Sequence, residues 1–188
     1  MNEQQLIQGV RQKQEAAFRV LVEMYKDRMY NTVLGFVQNT ADAEDVVQDV
    51  FIKVYESFHQ YKAEAALGTW IYRIAVTQSL DFIRRKNRKK RAGTFLSWFG
   101  STQHEESEPQ ELNHPGVMAE NKERSSHLFK AIRQLPENQQ TAFILQKVEG
   151  LNQKDIALVM NIKEGAVESL LSRAKVNLRK QLTEYYSA

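Results

Sequence analysis

The chain contains no cysteine. That excludes disulfide scaffolds, zinc ribbons, iron–sulfur sites and thiol nucleophiles, and it suits a reducing cytoplasm. Glycine and proline are scarce, at 8 and 3 residues among 188, which argues against a loop-rich β sandwich and for helices. No apolar run reaches the roughly 18 residues of a membrane span, so no membrane insertion is expected. The opening Met1-Asn2-Glu3-Gln4-Gln5 has neither a basic start nor an apolar core, so no secretory signal is read there. Strand-like alternation is absent, as is any repeat at a solenoid period. His59, His104, His114 and His127 show no ligand spacing, and no Gly-rich phosphate loop or nucleophile–base pair is recognisable. No catalytic residue, resident metal or cofactor is expected.

Net charge is only +3, but its distribution is uneven. Residues 1–91 carry 15 Lys and Arg against 11 Asp and Glu, residues 92–127 carry 2 against 6, and residues 128–188 carry 9 against 6. Two basic ends flank an acidic middle, which suits a polyanionic partner for each end.

Apolar residues at Phe18, Leu21, Val22, Tyr25, Met29, Val33 and Phe36 recur at helical spacing. A second helix is expected from Thr40, whose hydroxyl can cap the free N–H groups, with a stripe of Val46, Val47, Val50, Phe51, Val54, Tyr55 and Phe58. Residues 57–68 break the pattern. A third helix is expected over 69–91, burying Ile71, Ile74, Ala75, Gln78 and Phe82. Residues 92–120 hold Gly93, Gly100, Pro109, Pro115, Gly116 and four Glu between 105 and 111. They read as a flexible acidic linker with one apolar knot, Phe95, Leu96, Trp98 and Phe99. Helical patterning resumes near Asn121 and runs to Leu135. Pro136 opens a further helix, since its missing N–H is no loss in a first turn; that helix buries Ile144, Leu145 and Val148 and stops at Gly150. Two more are expected over 153–160 and 164–183. The expected fold is all-α, with two small helical domains, 1–91 and 121–188, joined by the linker 92–120.

The strongest local signal lies in 152–180. Asn152 caps a short helix containing Ile156, small Ala157 and Met160; Asn161, Ile162 and Lys163 form a tight turn; the next helix turns Val167, Leu170, Leu171, Ala174 and Leu178 inward. This is the anatomy of a helix-turn-helix, whose second helix can lie in a DNA major groove. The opposite face holds Gly165, Ser169, Ser172, Arg173, Val176, Arg179 and Lys180, with Glu168 toward one flank. Hydroxyls and cations there suit base edges and phosphates. A plain helical hairpin with a solvated face is the alternative.

Residues 84–91 contain seven cations in eight positions, including Arg84, Arg85 and Arg88. A solvated charge run is the plain reading. Upstream, however, Phe58, Tyr61, Trp70 and Tyr72 alternate with His59, Gln60, Lys62 and Arg73. Aromatics among donors and cations suit single-stranded nucleic acid, where bases stack on rings. Phe58 and Tyr72 are the better core candidates in that set. Asp42, Glu44, Asp45 and Asp49 form an acidic patch. Carboxylates so spaced can hold Mg²⁺, as in a nuclease, but an acidic first turn ordinarily complements the helix dipole. Protein docking through Asp45, Gln48, Asp49, Ile52 and Lys53, on the flank away from the buried stripe, is the preferred functional reading of this helix.

Asp42-Ala43-Glu44-Asp45-Val46-Val47-Gln48-Asp49-Val50-Phe51, then Thr69-Trp70-Ile71-Tyr72-Arg73-Ile74-Ala75, Asp81 and Arg84, resemble domain two of bacterial sigma-70 factors. Leu135-Pro136, Glu149-Gly150-Leu151, Asp155-Ile156-Ala157, Gly165-Ala166-Val167 and Ser172-Arg173-Ala174 resemble their domain four. Two such domains in under 200 residues resemble the extracytoplasmic-function (ECF) class. The resemblance implies a cytoplasmic, nucleoid-associated transcription initiation factor, acting in a stress or envelope-signal response, and not an enzyme. It implies that Asp45, Gln48, Asp49, Ile52 and Lys53 dock on RNA polymerase core, on the clamp helices of the largest subunit, with the flap of the second largest subunit as a further contact. It implies that His59, Gln60, Tyr61, Lys62, Trp70, Arg73, Arg84, Arg85 and Arg88 melt and read the minus-ten element. Gly165, Glu168, Ser169, Ser172, Arg173, Val176 and Arg179 would read the minus-thirty-five element. An anti-sigma factor is a further implied partner. Glu168 stands where the family often has a cation. Two rival classes stay in view, a stand-alone helix-turn-helix regulator and a metal-dependent nuclease using the acidic patch.

Overall fold

A computed structural model of the chain describes the backbone of residues 2–97 and 122–186 and the side chains of residues 2–91 and 127–183. The order is α1 (Glu3–Arg11), α2 (Glu15–Val37), α3 (Thr40–Ser57), a 3-10 turn (Phe58–Gln60), α4 (Leu67–Ser97), α5 (Lys122–Arg133), α6 (Glu137–Lys147), α7 (Gln153–Met160) and α8 (Glu164–Tyr186). No strand occurs among the described residues, and none of their helices is long and apolar enough to cross a membrane.

Local chemistry sets the helix ends. Asn2 and Gln5 form a reciprocal capping box that starts α1, an element the apolar pattern alone does not announce. At α3 the cap is Asn39, not Thr40: the Asn39 side-chain oxygen accepts the Asp42 N–H at 2.9 Å, and Thr40 is already helical. Pro136 likewise stands just before α6 as its cap residue, and Gly150 takes φ +68 beyond its end. Helix α4 runs through Gly93 to Ser97, past the expected boundary at 91. Phe95 and Leu96 of the apolar knot are on this helix, while Trp98 and Phe99 lie outside the described residues.

The first half packs α1 to α4 around Leu6, Leu21, Met29, Val33, Val50 and Ile71. Gly9 allows α1 to approach α2 closely, since a Cβ there would stand 2.6 Å from that of Ala17. The second half packs α5 to α8 around Ile132, Leu145, Ile156, Val167, Ala174 and Leu178. The two halves also touch. Helix α2 meets α6, α4 meets α7, and the apolar core is continuous across them. Gln38, in the left-handed conformation that ends α2, donates from Nε2 to the Phe129 carbonyl at 2.7 Å. Burial, together with the Glu149 carboxylate to which it donates, pushes the Tyr72 phenol well above its usual pKa.

Candidate functional site

The helix-turn-helix is assembled as its pattern predicts. Asn152 accepts the Asp155 N–H at 2.9 Å and donates from Nδ2 to the Asp155 carboxylate at 2.8 Å. Asn161 takes φ 54 at the turn, a left-handed conformation that Asn tolerates, and the Ile162 N–H returns to the Ala157 carbonyl at 3.0 Å. Val167, Leu171, Ala174 and Leu178 are buried and Leu170 is half-buried. Asn177 donates from Nδ2 to Gln139 Oε1 at 2.8 Å, tying α8 to α6. The outward face is open: Gly165, Glu168, Ser169, Ser172, Arg173, Val176, Arg179 and Lys180 are all exposed. Nothing lies within 4 Å of where a Gly165 Cβ would be. The Ser169 hydroxyl donates back to the Gly165 carbonyl at 3.0 Å, so its oxygen presents acceptor lone pairs outward. Val176, at 65% exposure, offers an apolar group of the kind that meets a thymine methyl.

The 59–73 segment divides differently from its expected reading. Phe58 and Tyr72 are buried, as anticipated, but so is Tyr61. Its ring lies 5.8 Å from Phe58 and 5.4 Å from Trp70, and its hydroxyl donates to the Ala65 carbonyl at 2.8 Å. A ring packed on two others, with its hydroxyl closing the loop, has no face to give a base; the expectation that Tyr61 stacks on DNA is corrected. Trp70 is half-buried, edge-on to Phe58 at 5.6 Å. His59, Gln60 and Lys62 are exposed, with a His59 ring nitrogen 2.9 Å from the Glu56 carbonyl. Arg73 points away from this cluster and donates twice to the Leu158 carbonyl of α7, at 2.8 and 2.5 Å.

Residues 84–91 are exposed along α4. Arg84 reaches Asp81 at 3.3 Å and, across the chain, Glu137 at 2.6 Å. Lys86 takes the Asp42 carboxylate at 2.5 Å, which withdraws Asp42 from the acidic patch. Among the described residues no three His, Cys, Asp or Glu side chains stand where they could hold a metal ion.

On α3, Asp45, Gln48, Asp49, Ile52 and Lys53 are all exposed. Other apolar side chains that the helical stripe does not single out are exposed on α3 and on the neighbouring α2. Ile52 and Met24 are each 57% exposed, and Val20 and Tyr55 are 37% and 40% exposed. Tyr55, counted with the buried stripe from spacing alone, turns outward; its ring packs edge-on to Phe18 at 5.0 Å and ties α3 to α2. A methionine off the apolar stripe of α2 was the available signal. Charge mixed with exposed apolar groups is the composition of a protein-docking surface.

The chain matches known proteins along most of its length. The Sigma-70 region 2 model matches residues 21–89, and the Sigma-70, region 4 model matches residues 128–178. The RNA polymerase sigma-H factor of Pseudomonas aeruginosa is 30% identical over 187 residues, covering 96% of this chain and 93% of that protein. The ECF RNA polymerase sigma-E factor of Haemophilus influenzae is 31% identical over 175 residues, covering 93% and 92%. Among solved structures, CnrH in complex with the cytosolic domain of CnrY shares the fold with a TM-score of 0.68 at 18% identity, covering 95% of this chain and 96% of that one. The sigma factor RpoE from Bartonella quintana, in complex with the anti-sigma factor NepR, does so with a TM-score of 0.64 at 20% identity, covering 88% and 96%. The all-helical architecture, the order of the two regions and the relatives agree: this chain belongs to the sigma-70 family, as a member of the extracytoplasmic-function class of RNA polymerase sigma factors.

Proposed function

We propose that this chain binds bacterial RNA polymerase core and directs it to promoters, and that it performs no catalysis of its own. Asp45, Gln48, Asp49, Ile52 and Lys53, together with exposed Tyr55 on α3 and exposed Val20 and Met24 on α2, dock on the clamp helices of the largest subunit. Region 4 engages the flap of the second largest. His59, Gln60, Lys62, Trp70 and Arg73 act on the minus-ten element, with Arg84, Arg85 and Arg88 on phosphates. Gly165, Glu168, Ser169, Ser172, Arg173, Val176 and Arg179 read the minus-thirty-five element. The domains run 1–91 and 121–188 with 92–120 as the linker. The protein works in the cytoplasm, at the nucleoid, and an anti-sigma factor is a further partner. The observation that carries this reading is the outward face of α8. Polar, cationic and apolar reading groups stand exposed on one side of a buried stripe, behind a region 2 whose docking face is also exposed.

Run-off transcription with purified core on genomic promoter fragments tests it. Specific transcripts are expected only when the chain is added. A chain that footprints a palindrome alone and leaves core activity unchanged would instead be a stand-alone helix-turn-helix regulator.

A further inference from the structure

The loop 61–66, between the 3-10 turn and α4, carries the exposed Lys62 assigned to the minus-ten element. Its course is tied down at several points. Tyr61 and Leu67 are buried at either side of it, while Lys62, Ala63 and Glu64 stand exposed between them. The Tyr61 phenol donates to the Ala65 carbonyl at 2.8 Å, so one side chain spans the loop. The Tyr61 carbonyl accepts Arg11 Nη2 of α1 at 2.6 Å, a charge-assisted bond between residues 50 positions apart. Ala63, midway, takes φ 59, a left-handed conformation that a residue with a Cβ keeps only where its surroundings impose it.

We infer that α1 braces this loop and that Arg11 is a positioning residue for promoter reading: by holding the Tyr61 carbonyl it sets where Lys62 and the loop tip meet the minus-ten element. The inference rests on the minus-ten assignment above. A peptide unit is planar, so the Tyr61 carbonyl and the Lys62 N–H turn together. Fixing the carbonyl fixes the direction in which the chain leaves for Lys62. Because the acceptor is backbone, the brace acts whatever side chain of the loop meets the base. Arg11 is itself firmly mounted. The N–H groups of Gln12, Lys13 and Gln14 return to the carbonyls of Gln8, Val10 and Gly9 at 2.9 to 3.0 Å, which closes the end of α1. The missing Cβ of Gly9 seats that helix against Ala17 of α2. A loop held in one conformation before DNA arrives loses less freedom on binding, so the brace favours the base that fits that one shape.

Arg11→Met, in the full-length chain, keeps a long unbranched side chain and removes its donors. Amide order parameters from NMR relaxation of the free protein read the brace directly. Residues 62–66 are expected near about 0.85 in wild type and below about 0.6 in the variant, with the helices unchanged. Run-off transcription with core, from a promoter library randomised across both elements, reads the consequence. The variant is expected to lose about tenfold of its preference at one or two adjacent minus-ten base pairs, the size of one charge-assisted hydrogen bond, and to keep its minus-thirty-five preference. Tyr61→Phe removes only the hydroxyl clip to Ala65, leaves the ring to pack on Phe58 and Trp70, and is expected to act alike in both measurements. Loop amides as rigid in Arg11→Met as in wild type would overturn the brace. Transcription lowered evenly on all sequences, with preference unchanged, would make Arg11 a plain stabilising cation at the end of α1 and overturn its positioning role. A salt slope lowered by about 0.9 with preference unchanged would make it a phosphate contact and overturn that role equally. If wild type shows no minus-ten preference, the promoter-reading assignment fails and takes the positioning role with it, while the order parameters still decide whether α1 braces the loop.

Discussion

Replacing Trp70 by Ala separates two roles that its position allows. The ring is half-buried, edge-on to Phe58 at 5.6 Å and tilted against Tyr61 at 5.4 Å, and the rest of its surface faces solvent. Truncating a fully buried Trp costs about 3–5 kcal/mol. A ring with part of its area already in water forfeits about half of that, and its two aromatic contacts add about 0.5–1.5 kcal/mol each. A loss of about 3 kcal/mol is therefore expected. In a chain of this size 1 kcal/mol shifts Tm by about 2–4 °C, so Tm should fall by about 6–12 °C. Trp70→Phe keeps a ring in the wedge and should recover most of that loss. On the DNA side, a base stacked on the exposed part of the ring is worth about 1–3 kcal/mol, which appears as weaker open-complex formation. Melting curves of the free chain, and permanganate reactivity of promoter thymines well below the melting temperature of the Ala variant, read the two roles separately. A Trp70→Ala chain that melts within a degree of wild type would refute the packing role. A destabilised but still folded variant that melts promoter DNA as wild type does would refute the stacking role.

Three further outcomes are expected. Arg173→Ala should weaken binding to the upstream element by about 1–3 kcal/mol and relax preference at one base pair if its fork meets a guanine, or weaken all sequences evenly if it meets a phosphate; Glu168→Gln, on the flank of the same face, should lose specificity or gain affinity by the same logic. Selection against a library randomised across that element measures both, and no change in either variant refutes the orientation of α8. Reversing charge at Asp45 and Asp49, or Met24→Asp, should weaken competition for core while shifting stability by no more than about 0.5 kcal/mol, because all three side chains are exposed; equal competition by these variants refutes the docking face. Arg85→Gln with Arg88→Gln should lower the log–log salt slope of promoter binding by about 0.9 for each phosphate no longer neutralised, alike on all promoters; an unchanged slope leaves those residues solvated.

Much of the architecture is legible in the linear sequence because helices are local objects. The spacing of Val167, Leu171, Ala174 and Leu178 marks the buried side of α8, and by subtraction the reading face. Asn152 and Asn161 mark the ends of α7 through side-chain and backbone preferences that act within a few residues. The family itself follows from motifs at fixed separations. What spacing cannot decide is how a helix side with two available neighbours is shared. Tyr55 and Tyr61 illustrate this. Each is an aromatic next to an apolar stripe, yet Tyr55 turns out to solvent beside Phe18, while Tyr61 closes against Phe58 and Trp70. Only the assembled neighbours supply the difference in buried area that sets each ring. The partners of Arg73, Arg84, Gln38 and Tyr72 stand 53 to 91 residues away in sequence. No local periodicity encodes such pairs. They exist because packing α2 on α6 and α4 on α7 brings donors to acceptors that the chain holds far apart, and the tertiary fold alone decides that Arg73 and Arg84 find acceptors on region 4.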